Sequence, residues 1–251
     1  FARAQYNLGG MYYKGEGVRQ DSTKAAQWYE KAANQGYAEA QASIGRFYYL
    51  GEGVRQDSTK AAQWSEKAAN QGYLEAQAIL GAMYYEGEGV TQDYAQAVEW
   101  FQRAANQGDV WSQFYLGVLY SNGRGVARDL INAAQWYTKA AEQGDFLAQY
   151  YLAEMHELGI GIPQNNKAAI RWYKKAAKQG HVKAQYRLGN IYKRGAGVQI
   201  DYVKSCMWFN LAEHNGYEHN SAHKEIMTKK MTSVEIYKAQ DMASRCLDSG
   251  Y

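Results

Sequence analysis

The chain has 251 residues, a formal net charge of +3 and 23 tyrosines, with 46% apolar and 14% aromatic residues. No apolar stretch approaches the roughly 20 residues of a bilayer span, which excludes a transmembrane helix. A single proline, Pro163, and many amphipathic aromatics suit helices that keep one wet, contact-forming face.

One frame returns every 36 residues. Tryptophans stand at Trp28, Trp64, Trp100, Trp136, Trp172 and Trp208, and closing glycines at Gly36, Gly72, Gly108, Gly144, Gly180 and Gly216. Paired loop glycines run from Gly15/Gly17 to Gly195/Gly197. Six copies on so strict a period predict a stacked array, one elongated domain rather than the one or two globular domains that length alone allows. The frame sets repeats at about 1–36, 37–72, 73–108, 109–144, 145–180 and 181–216, with a degenerate repeat and capping helix over 217–251.

In the second copy, Ala40, Ile44, Phe47 and Tyr48 fall at helical spacing, which predicts a first helix over Ala38–Leu50 with one apolar stripe. Gly45 inside it costs roughly 1 kcal/mol relative to alanine. Its equivalents are Gly9, Gly81, Gly117, Ala153 and Gly189, and close approach of the partner helix is the expected compensation. Gly51 and Gly53 let the chain leave the helix, and Val54 pins the loop to the core. Asp57 is placed to cap a second helix, as are Asp21, Asp93, Asp129, Asn165 and Asp201 in their copies. That helix presents Ala61, Trp64, Ala68 and Ala69 on one face, with Trp64 as its large buried body. It ends at Gly72, after Lys67 has put a cation in its last turns. One pair cannot bury its own apolar face, so it must stack on neighbours.

Copies one and two are nearly identical: Gly15–Tyr37 and Gly51–Tyr73 differ only at Tyr29 versus Ser65. The fourth departs more, with Trp111, Phe114 and Tyr115 replacing Glu75, Ala78 and Ile79, and the fifth carries Tyr150 and Tyr151. After Gly216 the frame fails, with Lys224 and Glu225 where leucine and glycine are expected. A helix is predicted from His219 to Lys230. Thr232 or Ser233 then caps a last helix, in which Val234, Ala239, Met242, Ala243 and Leu247 seal the array.

The G-x-G-V loops, the later tryptophan, the A-A-x-Q-G ending and the period together resemble the Sel1-like repeat family, over Ala2–Gly216. Tetratricopeptide repeats share the frame but run at roughly 34 residues. The resemblance implies an all-α, right-handed superhelical solenoid whose first helices line a concave side. It implies a non-catalytic scaffold that binds a partner protein or peptide in that groove. Two alternatives are an immunity or inhibitor protein that neutralises a secreted lipase-type effector, and a cell-envelope factor that meets lipid or peptidoglycan through its basic repeats. Residues 1–20, starting at Phe1, lack a charged-then-apolar leader, so a mature or trimmed form is expected. A periplasmic or secreted location is favoured over a cytoplasmic one.

Opposite the apolar stripe of the first helices lie Tyr6, Phe114, Tyr150 and Tyr186, then Arg46 and Glu154, then Tyr13, Tyr49 and Tyr85. The candidate partner-binding set is Tyr13, Tyr49, Tyr85, Trp111, Phe114, Tyr150 and Tyr186, rings that anchor a partner at low entropic cost. Phe114 and Tyr150 are expected on the groove side; stacking of the rings between adjacent repeats is the alternative reading. Between Gln164 and Lys204 stand ten basic residues against one acidic, whereas residues 1–108 carry ten basic and twelve acidic. Lys167, Arg171, Lys174, Lys175, Lys178, Arg187 and Lys193 form the candidate electrostatic patch, read either as steering an acidic partner or as a solvated face. No nucleic-acid motif accompanies the charge, and no nucleic-acid partner is expected.

His219 and His223, with His214 and Glu218 near, have a zinc-compatible spacing, but the segment is degenerate and no metal site is assigned. Cys206 is expected as a buried thiol, with a bridge to Cys246 as the alternative in an oxidising compartment. The within-repeat cysteine pairs of the family's cysteine-rich branch are missing, which excludes a disulfide framework. There is no P-loop, G-x-S-x-G elbow or H-E-x-x-H, so neither a catalytic residue nor a cofactor is expected.

Overall fold

The computed structural model describes residues 1–218, 225 and 229–248. Among the described residues there are thirteen helices and no strand. They gather in two compact units, Phe1–Arg128 and Asp129–Tyr251. The first unit holds α1 (Ala2–Lys14), α2 (Ser22–Ala33), α3 (Ala38–Leu50), α4 (Ser58–Asn70), α5 (Leu74–Glu86), α6 (Tyr94–Asn106) and α7 (Val110–Asn122). The second holds α8 (Leu130–Glu142), α9 (Phe146–Leu158), α10 (Asn166–Lys178), α11 (Val182–Arg194), α12 (Tyr202–His214) and α13 (Ser233–Asp248). Within each unit every helix packs on the next in sequence, so the fold is an all-α solenoid of helix pairs.

The local chemistry follows the frame. All six predicted caps of the second helices accept a backbone N–H, as in Asp57 from Lys60 at 3.0 Å and Asn165 from Ala168 at 3.0 Å. The loop glycines do two jobs. Gly51 ends α3 at φ 72°, and a Cβ on Gly53 would lie 2.2 Å from the Ser22 carbonyl oxygen, so the loop seats directly on the preceding repeat's second helix. The helical glycines also answer the expectation of close approach. A Cβ at Gly81 would lie 2.7 Å from the Phe101 ring, and one at Gly189 2.5 Å from the Phe209 ring.

A buried glutamine in five of the six first helices, at Gln41, Gln77, Gln113, Gln149 and Gln185, stitches the stack. Gln77 Nε2 donates to the Ala69 carbonyl at 3.1 Å and its Oε1 accepts from Gln107 at 2.8 Å, which joins the ends of consecutive second helices. Gln41, Gln149 and Gln185 repeat the first bond at 3.1, 3.2 and 3.1 Å. A buried amide satisfied on both ends specifies register, because any slip would strand it.

The tryptophans differ from the expectation in part. Trp100, Trp136, Trp172 and Trp208 are buried, but Trp28 and Trp64 are half-buried. The Trp64 ring lies at the edge of its pair beneath the Lys67 ammonium, 4.0 Å away. The same cation, three residues on, covers Trp28, Trp100, Trp136 and Trp172 at 3.8–4.4 Å.

In the second unit α13 packs on α12, with Ala239 and Ala243 buried. Thr232 and Glu235 form a reciprocal capping box, with Thr232 N–H donating to Glu235 at 2.8 Å and Glu235 N–H to Thr232 Oγ1 at 3.3 Å. Val234 is exposed and does not help to seal the array. It stands at the first turn of α13, ahead of the buried Ala239–Ala243 stripe. The expected helix from His219 and the His219/His223 pair lie outside the described residues. Cys206 is buried, 1% exposed, and Cys246 is half-buried.

Candidate interaction surface

The first helices of the first unit carry most of the aromatic residues singled out from sequence. Tyr13 and Tyr49 are half-buried, and each donates its hydroxyl to the loop glutamate of the following repeat, Glu52 at 3.4 Å and Glu88 at 3.0 Å. The bond to Glu88 holds the Tyr49 phenol above its ordinary pKa, since a phenolate there would face a carboxylate. Tyr85 packs edge-on against Tyr94 and Tyr115, with centroids at 5.5 and 5.1 Å. Trp111 remains 43% exposed while standing edge-on to Tyr115 at 4.7 Å.

Phe114 and Tyr150 do not stand open as expected. Each is only 8% exposed. Phe114 lies 5.5 Å from the Tyr115 ring, and Tyr150 lies 4.6 Å from His181 and 5.7 Å from Tyr173. The place that Ala42 holds in the second repeat faces the neighbouring pair, so a large residue there becomes interior packing. Tyr186 is half-buried and stacks on Tyr217 at 4.2 Å.

Within the first unit a chain of rings runs from repeat to repeat and is broken once. Tyr29 meets Phe47 at 5.3 Å, and two repeats on, Phe101 stacks on Tyr115 at 5.2 Å. One repeat before that stack, the same two positions hold Ser65 and Ile79. A cavity of about 290 Å³ lies between α3, α5 and α7, lined by Arg46, Tyr49, Leu50, Ile79, Ala82, Met83, Glu86, Glu88 and Trp111. Its floor is aliphatic, its far wall is the Trp111 ring, and its charges sit at the mouth. Sequence reasoning found Tyr49 and Trp111 but missed the hollow. A signal was present at Ala82, a lining residue, where other copies carry Arg46, Val118, Glu154 and Asn190.

In the second unit, Lys167, Arg171, Lys174, Lys175 and Lys178 are exposed along α10. Several rest on rings, with Lys175 4.2 Å from Trp172 and Lys174 5.8 Å from Tyr192. Arg187 is half-buried. It pairs with Glu154 at 2.9 Å, among Tyr150 and Tyr173. Beside it Tyr173 donates to Glu157 at 2.7 Å. Lys193 is half-buried. Among the described residues no group of histidine, cysteine and acidic side chains could hold a metal ion. No helix among them is long and apolar enough to cross a membrane.

The profile of the Sel1 repeat matches residues 2–37, 38–73, 74–109, 112–145, 147–181 and 182–217. Among solved structures, a Sel1 repeat protein from Oxalobacter formigenes is similar at 38% identity and a TM-score of 0.72, over 84% of this chain and 85% of that one. A protective antigen present in uropathogenic Escherichia coli strains, displaying an SLR fold, is similar at 34% identity and a TM-score of 0.71. That likeness covers 100% of this chain and 62% of the antigen, so this chain spans less than two thirds of the antigen's length. An immunity protein from Pseudomonas aeruginosa shares 21% identity at a TM-score of 0.45, over 85% of this chain and 81% of that one, a likeness of fold alone. No curated protein matches.

Proposed function

Since the chain belongs to the Sel1 repeat family, we propose that it is a non-catalytic scaffold whose six repeats, residues 1–216, bind a partner protein or peptide, with residues 217–251 as the cap. The partner seats on the first-helix face of α3, α5 and α7. The single observation that carries this reading is the apolar cavity with an exposed tryptophan at its wall. Tryptophan and tyrosine at a pocket that a partner can desolvate are the residues that dominate binding energy in protein interfaces. The volume suits a side chain entering from a bound segment. Tyr49, held by Glu88, forms a pre-ordered part of the same wall, so little entropy is lost there on binding. A secreted effector is one partner such a scaffold would take, and its neutralisation would be one use of that binding.

A photo-crosslinking amino acid placed at Ala82 tests the site. Capture of one defined protein from Ala82, and none from the same probe at Gln27 on α2, supports it. Absence of any specific adduct at Ala82 counts against it. A second reading, attachment to an anionic envelope surface, is favoured by the row of exposed cations on α10. Salt-sensitive cosedimentation with anionic vesicles, lost in Arg171→Glu/Lys174→Glu, distinguishes it.

A further inference from the structure

We propose that the segment bound at this cavity carries a large apolar side chain with a lysine or arginine close to it in sequence, the apolar group entering the hollow and the cation meeting Glu86. The inference rests on the proposed scaffold function and names the partner's chemistry at that site.

Charge at the mouth is unbalanced. Arg46 is the cation among the lining residues, and it is already engaged. Its guanidinium lies 3.8 Å from Glu52 and rests over the rings of Tyr13 and Phe47 at 5.5 and 5.9 Å. Glu88 accepts hydroxyl hydrogens from Tyr49 at 3.0 Å and Ser58 at 3.2 Å. Those neutral donors orient the carboxylate and leave its charge in place. Glu86 is exposed and makes no hydrogen bond or ion pair among the described residues. Two uncompensated negative charges therefore flank an apolar hollow.

An acidic segment would be repelled from that mouth, and a wholly apolar one would gain nothing from it. A basic neighbour gains the attraction, and its aliphatic stem lies well on the apolar rim. The hollow takes one large side chain: engineered cavities of about 150 Å³ already hold a benzene ring.

A random heptapeptide library displayed on phage, selected on the whole chain, tests this. Parallel selections use Ala82→Phe, which fills the hollow, Trp111→Ala, which removes its wall without adding bulk, and Glu86→Lys, which reverses the mouth. Circular dichroism checks that each variant keeps its helices. Peptides enriched on the unmodified chain should carry Phe, Trp or Leu within two residues of Lys or Arg, and should be lost on both cavity variants. On Glu86→Lys the apolar anchor should persist while its neighbour turns acidic. Peptides selected on the unmodified chain should bind that variant roughly five- to tenfold more weakly, with the difference shrinking at high salt.

Cavity-dependent peptides without charge bias, or indifferent to Glu86→Lys, overturn the inference and leave the site standing. No enrichment, or enrichment indifferent to the cavity variants, overturns the site and the inference together. A dimer in sedimentation that Ala82→Phe dissolves would make a second copy the occupant and overturn the inference as well.

Discussion

Gly45 and Gly81 occupy the same place in consecutive first helices, yet a methyl group added to each meets different surroundings. At Gly81 the new Cβ would lie 2.7 and 2.8 Å from Phe101 ring carbons, well inside the roughly 3.5–4 Å of favourable carbon contact. Phe101 is fully buried and stacked on Tyr115, so it has little room to withdraw. At Gly45 the nearest atom is the Ser65 hydroxyl oxygen at 3.1 Å, which can rotate away. Alanine in a helix interior gains roughly 1 kcal/mol over glycine. Overpacking a filled core costs about 1–3 kcal/mol. Gly45→Ala should therefore stabilise the chain by up to about 1 kcal/mol, and Gly81→Ala should destabilise it by about 0–2 kcal/mol. The fifth repeat limits the upper end, since Ala153 stands at this position with Tyr173 at the partner position and both are fully buried. Helix spacing can thus be set for a Cβ when the pair is built around one. Urea denaturation of the two variants, followed by helical circular dichroism, measures the difference. Ser65→Phe added to Gly45→Ala should cancel the gain. Equal shifts for the two glycines, or a stabilised Gly81→Ala, would refute the reasoning that the second-helix ring sets this spacing.

Trp100→Ala should cost about 3–5 kcal/mol and Trp28→Ala clearly less, because Trp100 is buried mid-unit and Trp28 is half-buried near the end; chemical denaturation compares them. Phe114→Ala should destabilise by about 3 kcal/mol, whereas Trp111→Ala should leave stability within about 1 kcal/mol, read from the same curves. His156 and His181 are both held below 6.5, chiefly by burial, and His181 Nδ1 accepts the Ala184 N–H at 3.2 Å, which protonation would end. The unfolded chain then binds more protons than the folded one below 6.5, so stability is full above that pH and falls as pH drops beneath it. His156→Gln/His181→Asn, which keeps a capping side chain, should flatten the difference in urea midpoint between about pH 7.5 and about pH 5.5.

The repeats were legible because their signals are local. A glycine at a left-handed turn, an aspartate at a helix start and a tryptophan in a groove of alanines each act within one helix pair, and all recur on one period. The surface was less legible because it depends on neighbours. Phe114 and Tyr150 break the consensus of the earlier copies, which reads equally as a binding anchor or as a better-filled core, and burial decides for the core. Arg187 reads as a basic residue of a charged run until Glu154, 33 positions away, is found beside it. The cavity is the converse case. Side-chain bulk is missing there at Ala82, and a missing group shows only against the other repeats. The extra caps on α7, α9 and α11, from Asp109, Asp145 and His181, were also unread, because Tyr37 and Tyr73 hold that position in earlier copies and make no such bond.

The most direct test of the central claim is calorimetric titration of the partner captured at Ala82 against three forms of the whole chain. These are the unmodified protein, Trp111→Ala, and Arg171→Glu/Lys174→Glu. If the partner binds in the first-unit cavity, Trp111→Ala should weaken binding by about 30-fold, the equivalent of a hot-spot loss near 2 kcal/mol. The doubly reversed α10 should bind within about twofold of the unmodified protein at physiological salt. Normal binding by Trp111→Ala, with binding lost in the α10 variant, would contradict the account and place the partner on the basic helix instead.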